Sequence, residues 1–153
     1  MVTGTSLHAS KEALRLTRLY PGTLYSTAGV HPHDAKAWTE ESYDTLKELA
    51  QNPECVAIGE CGLDYNRMFS PQETQLDVFT KQVQLAVDLK KPLFVHEREA
   101  HEDLVKVLSQ FSGKLPPTVI HCFTGNSTEA KRYIDLGFYI GLTGKQSYSS
   151  KRH

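Results

Sequence analysis

The sequence predicts an α/β fold in which helices cover a parallel β-sheet. Helical and strand patterns alternate along the chain in a single series, and the strand segments are almost continuously apolar, as in strands buried on both faces. With 153 residues, 39% of them hydrophobic, the chain has the length of one domain and can bury a core. The pattern is typical of either a βα barrel or an open sheet.

The first third of the chain predicts a short strand, a helix and a second strand. The opening MVTG is a strand stub, and residues 23–30, TLYSTAGV, predict a complete strand. Between them, residues 10–20 predict an amphipathic helix that stops at Pro21-Gly22. Its apolar residues at helical spacing are Ala13, Leu14, Leu16 and Leu19.

The middle third predicts helix, strand, helix. The first helix, residues 39–50, begins at Thr39, and the strand covers residues 55–61. For the second helix we expect Ser70 as N-cap, with Pro71 at the first position and Glu73 completing a capping box.

The last third predicts three more strands and two helices, which brings the count to five complete strands plus the stub. Asn126 and Glu129 have the spacing of a capping box. In chain order the elements are strand 92–96, helix 102–111, strand 118–123, helix 126–137 and strand 138–144.

Several function classes lose support at this point. No GxGxxG follows the first strand, no P-loop lysine is present and there is no GxSxG. The net charge of −1 provides no electrostatic footprint for nucleic acid, although a phosphate site neutralised by metal would not need one. No apolar run is long enough for a membrane span or signal peptide.

The three cysteines form no CxxC motif, and an odd number is typical of a reduced intracellular protein, so we expect a cytoplasmic or nuclear location. Cys61 and Cys122 each neighbour a candidate ligand. Strand alternation turns them to the opposite side, so we interpret them as packing residues.

Three strands end on metal-type ligands, namely Glu60, His96 and His121. The carboxyl ends of parallel strands are where α/β folds build their sites, and one glutamate with two imidazoles suits zinc, manganese or nickel. Taken singly, each has a structural alternative: His96 as a buried histidine, Glu60 paired with Arg67, and His121 as a strand cap. The repeated placement favours a metal site.

Two further elements suit an anionic substrate. His31 and His33 flank Pro32 in a rigid loop after a strand, and their ring nitrogens suit donation to a phosphate or the steering of a water, unless the loop is only a surface turn. Arg98 suits an anionic oxygen or a surface ion pair. His101 is expected at a helix start with a structural role.

Five motifs, in this order and spacing, resemble the TatD family of metal-dependent deoxyribonucleases, which are amidohydrolase-like metal hydrolases: TAGVHPHDAK, VAIGECGLDYNR, PLFVHERE followed by His101, LPPTVIHCFTG and YIGLTG. The resemblance implies an eight-stranded TIM-type barrel that binds one or two divalent metal ions (Mg, Mn or Zn) and hydrolyses DNA, often from 3′ to 5′ and on single strands. It implies that Glu60 bridges two metals, that His96 and His121 bind one of them, and that His31, His33 and Arg98 contact the substrate phosphate.

The chain also departs from that family. It begins at what resembles the second strand, without the early His-x-His pair, and residues 145–153 do not resemble the family. We therefore expect residues 1–144 to form an incomplete barrel of strands two to seven, followed by a disordered tail at 145–153. The aspartate expected on an eighth strand is missing, which leaves the catalytic group unknown.

These departures leave three hypotheses for the function. The first is a metal-dependent deoxyribonuclease by descent whose chain is a truncated isoform or partial gene model with weak or no activity. The second is a related amidohydrolase that acts on C–N or small phosphoester bonds. The third is a non-catalytic interaction fragment, which would self-associate through the open edges of its sheet.

Overall fold

The structure is a computed structural model that describes residues 1–143, and these form one parallel sheet with helices between successive strands. The strands are β1 (Ser26–Ala28), β2 (Cys55–Asp64), β3 (Leu93–Arg98), β4 (Thr118–His121) and β5 (Tyr139–Ile140). The α-helices are α1 (Leu7–Leu19), α2 (Ser42–Ala50), α3 (Gln72–Leu89), α4 (His101–Ser109) and α5 (Ser127–Asp135), and a 3-10 helix covers Pro32–Ala37. The predicted tail at 145–153 lies outside the described residues.

The strand order favours one of the two predicted architectures. The order is β1-β2-β3-β4-β5, and every neighbouring pair is parallel. Within residues 1–143 there is no reversal of strand order of the kind that marks a doubly wound open sheet. The sheet is therefore consistent with an incomplete TIM-type barrel, as predicted. The assignment to strands two to seven stays a prediction.

The predicted strands exist, but their lengths differ. Val2 pairs with Ser26 in a single parallel bridge, which confirms the stub. β2 runs three residues beyond the predicted end at Cys61, through Gly62 to Asp64, while β5 contains only two residues. The glycines around Glu60 continue the strand rather than ending it.

The helix ends show one clear error of prediction. Ser70 does not cap α3, which begins at Gln72 with Pro71 at the N-cap position and no side-chain cap. The Ser70 hydroxyl instead donates to the carbonyl of His33 and accepts from the N–H of Lys36. The residue with the right spacing for a cap is therefore used to fix the neighbouring loop.

The other helix starts shift by a few residues. Ser6 caps α1 by accepting from the N–H of Ala9, so the helix starts earlier than predicted, and α2 starts at Ser42 rather than near Thr39. The capping box of Asn126 and Glu129 at the start of α5 is confirmed.

The core lies between the helices and one face of the sheet. Side chains alternate between buried and half-buried along β3 and β4, as expected when one face is covered more completely. The fully covered face packs against the helices through residues that include Leu46, Ile58, Phe79, Leu93, Leu104 and Ile120. The opposite face presents Phe94, His96 and His121, so the predicted ligands lie on the less covered side.

A buried polar cluster joins α4 and α5 to β3. The hydroxyl of Tyr133, whose side chain is fully buried, donates to Glu97 Oε1 at 2.7 Å. The ring of His101 packs edge-on against Tyr133, with a centroid distance of 4.6 Å. His101 thus starts a helix and packs in the core, as predicted.

Among the described residues, no helix is both long and apolar enough to cross a bilayer.

Candidate metal centre

The three strand-end ligands predicted from the sequence come together. His96 on β3 lies directly opposite His121 on β4 in the strand register. On the other side, β2 bulges between Gly59 and Cys61, which places Glu60 beside the same strand end. Parallel strands in sequential order thus bring residues 60, 96 and 121 to one edge of the sheet.

Imidazole nitrogens from three histidines surround one oxygen, Oε1 of Glu60. His121 Nε2 lies 3.1 Å from this oxygen, His96 Nδ1 lies 3.4 Å from it and His31 Nε2 lies 3.8 Å from it. One ligand atom each from His31, Glu60 and His96 lies within 4.8 Å of the others, a grouping that could hold a metal ion.

His31 lies closer to the candidate ligands than the sequence predicted. The sequence indicated only a contact with the substrate phosphate, whereas the structure places the ring beside Glu60. Its Nδ1 accepts the N–H of His33 at 3.1 Å, so its other ring nitrogen is turned toward Glu60. The ring also packs against His96, with centroids 4.5 Å apart. His31 therefore belongs spatially to the candidate ligands, whereas His121 contacts Glu60 from outside that three-atom group.

A second carboxylate, Asp64, was missed by the sequence analysis. Its Oδ2 lies 2.9 Å from Nε2 of His96 and 3.2 Å from Nε2 of His33. The sequence did contain a signal for Asp64. Every second residue of a strand points to the same face, so residue 64 is expected on the same face as residue 60. Asp64 therefore holds the far nitrogen of His96 while the near one faces Glu60, an arrangement that orients metal-binding histidines in many proteins.

The structure does not bring Arg98 into the cluster. Arg98 ends β3 with an exposed side chain, and strand alternation places it on the same face as His96. Within residues 1–143 its guanidinium forms no ion pair, so it remains available to an anion. The alternative pairing of Glu60 with Arg67 is not formed, because the neighbours of Glu60 are histidines.

The two carboxylates are held in the charged form. Burial would raise the pKa of Glu60, but hydrogen bonds with His121 and His96 and the nearby His31 outweigh burial and hold this pKa well below its usual range. Burial also acts to raise the pKa of Asp64, yet the N–H of Arg67 and the ring of His96 bring it down to about 2. Both groups are anionic at neutral pH.

The two central histidines respond differently to the same surroundings. Burial, followed by the neighbouring His96, lowers the pKa of His31 to about 4, so this ring is neutral and keeps a lone pair for a metal. Burial acts to lower the pKa of His96, but hydrogen bonds with Glu60 and Asp64 raise it above the usual value. A change that neutralises Glu60 and Asp64 therefore also lowers the pKa of His96 and favours loss of its proton.

The donor set fits a divalent cation of borderline character. One carboxylate oxygen with imidazole nitrogens around it is a common ligand combination for zinc and manganese. The cysteines take no part: Cys61 is fully buried, as predicted, whereas Cys122 is only partly buried, with its sulfur 3.5 Å from the Thr143 hydroxyl. Glu60 supplies the negative charge on which the histidines converge.

Comparison with known protein families decides the assignment. The family model described as TatD related DNase matches residues 1–153. The chain belongs to this family. The resemblance inferred from five motifs is thereby confirmed, whereas the domain boundary placed at residue 144 stays a prediction.

Similar TatD proteins come from enterobacteria. The 3′-5′ ssDNA/RNA exonuclease TatD of Salmonella typhimurium is 47% identical over 144 residues, which cover 94% of this chain and 55% of that protein. The protein of the same name from Escherichia coli K12 has the same identity and coverage. The chain thus spans about half the length of these curated relatives.

Solved TatD structures share the fold. A TatD homologue from Escherichia coli superposes with a TM-score of 0.87 at 29% identity, covering 97% of this chain and 57% of that chain. A TatD family hydrolase from Entamoeba histolytica superposes with a TM-score of 0.82 at 33% identity, covering 93% of this chain and 50% of that chain.

Proposed function

We propose that this protein functions as a metal-dependent nuclease that hydrolyses phosphodiester bonds in single-stranded nucleic acid. The observation that carries the proposal is the convergence of His31, His96 and His121 on one oxygen of Glu60. The names of the relatives support the substrate class, since they are called 3′-5′ exonucleases of single-stranded DNA and RNA.

In this proposal Glu60, His96 and His121 are metal ligands, and His31 is an additional one. Asp64 orients His96 by binding its Nε2 at 2.9 Å. The metal is Mg, Mn or Zn, and when bound it supplies a Lewis acid that polarises a phosphoryl oxygen and lowers the pKa of a water. Glu60 is charged for this role by its own surroundings.

The substrate phosphate lies against the loop of His31 and His33 and the exposed guanidinium of Arg98. The side chain of His33 is 28% exposed, so part of its ring is accessible to a substrate. The positive Arg98 side chain has no carboxylate partner within the described range, residues 1–143. Together they provide donors to an anion on the open side of the sheet.

The same proposal includes a cytoplasmic or nuclear location. Cys55, Cys61 and Cys122 are all free thiols, which suits a reducing compartment. Localisation of a tagged full-length protein by microscopy tests this part independently of activity.

The test is calorimetric titration of the purified chain with zinc and with manganese, beside a His96→Ala/His121→Ala double variant. His8→Ala is the matched control, because His8 is an exposed histidine on α1. Cleavage of end-labelled single-stranded DNA is followed in the same samples. We expect stoichiometric binding by the parent chain and by His8→Ala, and its loss in the double variant.

Two results would count against the proposal. A folded parent chain that binds neither metal would show that the histidine–Glu60 cluster is not a metal site. Metal-dependent cleavage that persists unchanged in the double variant would show that hydrolysis does not depend on these ligands.

A further inference from the structure

The loop between β2 and α3, residues 65–71, carries an exposed aromatic ring at the edge of the candidate metal centre. Phe69 is 54% exposed and its neighbour Met68 is 44% exposed. Arg67 in the same loop is exposed as well. Large apolar side chains in water next to a site often mark a binding surface.

Phe69 contacts His33, which is linked to the Glu60 cluster through Asp64. Its ring packs edge-to-face against His33, with centroids 4.9 Å apart and planes 75° from parallel. His33 in turn binds Asp64, which binds His96. A group that stacks on Phe69 is therefore only one side chain away from the place proposed for the substrate phosphate.

The loop is fastened at both ends. At its start, Oδ1 of Asp64 accepts from the N–H groups of Asn66 and Arg67 at 3.0 and 2.9 Å. At its end, the buried Ser70 hydroxyl bridges the His33 carbonyl and the Lys36 N–H. The exposed ring is thus held in place before any ligand arrives, which reduces the entropy cost of binding.

A nucleobase is the occupant whose chemistry fits these features. Bases stack on aromatic side chains with little regard to sequence, and each one is joined to the phosphate that a nuclease must bind. The guanidinium of Arg67 has no ion pair within residues 1–143, so it is available to a neighbouring phosphate.

We propose that Phe69 is a base-stacking residue for single-stranded nucleic acid; this rests on the proposed nuclease function. Phe69 positions the strand, so that the phosphate of the stacked nucleotide faces His33 and the Glu60 cluster. The contact is independent of base identity because it uses only the flat face of the base.

The experiment pairs the side chain with the base it contacts. Binding of a labelled, phosphorothioate single-stranded oligonucleotide is measured by anisotropy with manganese present. The oligonucleotide is used in two forms, one normal and one in which every base is removed. The parent chain is compared with Phe69→Ala and Phe69→Trp, and Tyr20→Ala serves as control, since Tyr20 is an equally exposed aromatic residue beyond the end of α1.

We expect Phe69→Ala to weaken binding of the normal oligonucleotide about tenfold. Phe69→Trp should restore it and Tyr20→Ala should leave it unchanged. The abasic oligonucleotide should bind the parent chain and Phe69→Ala equally, because it offers nothing to stack on the ring.

Each contrary outcome has a distinct meaning. If Phe69→Ala weakens the abasic and normal oligonucleotides alike, the ring only supports the loop and the stacking proposal is overturned. If Phe69→Ala binds both as the parent does, stacking is likewise overturned while the nuclease proposal stands. If the parent chain binds metal but neither oligonucleotide, both proposals fail. If light scattering gives a lower molecular mass for Phe69→Ala than for the parent chain, the ring contacts a second copy of the protein. That result also overturns stacking.

Discussion

Asp64 shows how one side chain links the metal cluster to the loop beside it. Its Oδ2 binds His96 and His33, and its Oδ1 accepts the N–H groups that start the β2–α3 loop. The side chain is only 2% exposed, so both oxygens are used inside the protein. A single carboxylate therefore orients a proposed metal ligand and shapes the loop beside the candidate metal centre.

The residue-scale prediction is that Asp64→Asn weakens manganese binding by about tenfold or more, the usual size of an effect from a group that orients a ligand. The amide still accepts from the loop, but the charge that holds Nε2 of His96 is lost. Calorimetry on this variant, beside Asp77→Asn on the exposed face of α3, measures it. Equal dissociation constants for Asp64→Asn and the parent chain would show that His96 does not depend on Asp64.

The sequence predicted Glu60, His96 and His121 because each follows a short apolar run, a pattern visible without any structure. The sequence did not reveal the partnership of Asp64 with His33, because this depends on how the loop of residues 31–33 folds back over β2. Nor did it reveal the true role of Ser70. A serine three residues before a glutamate looks like a cap, and only the packed loop shows its other partners.

At the scale of elements, the close approach of β2 and β3 positions the centre. Gly62 pairs with His96, and a Cβ at residue 62 would collide with the carbonyl oxygen of His96. Gly62 also has a φ of 143°, which side chains with a Cβ rarely adopt. The glycine thus allows Glu60 to lie next to β3.

We predict that Gly62→Ala lowers the free energy of unfolding by about 3 kcal/mol or more, because backbone strain and a steric clash add together. Gly113→Ala is the matched control: its φ of 78° is also positive, but nothing lies within 4 Å of an added Cβ. This control should lose only about 1 kcal/mol. Urea unfolding of both variants measures the difference, and equal losses would mean that the contact with β3 tolerates a methyl group.

At the scale of the whole molecule, the sequential parallel order of the five strands explains why distant residues meet. The hydrophobic patterns of the sequence predicted alternating strands and helices. The family motifs predicted a barrel. They could not set the strand ends, because β2 continues through glycines that usually interrupt strands and β5 has only two residues. Those ends depend on backbone pairing between segments far apart in the chain.

The last prediction concerns the stability of the whole chain. The proposed ligands come from β2, β3, β4 and the loop after β1, so a bound cation joins four parts of the sheet that separate on unfolding. Manganese at a hundred times its dissociation constant should stabilise the folded state by about 2.7 kcal/mol. For a chain of this size that is a rise in Tm of roughly 5 to 10 °C. Thermal unfolding followed by circular dichroism measures it, and excess EDTA should reverse it.

Glu60→Gln should show almost no rise, because the amide lacks the charge on which the histidines converge. The same rise in Glu60→Gln and in the parent chain would place the stabilising ion elsewhere on the protein.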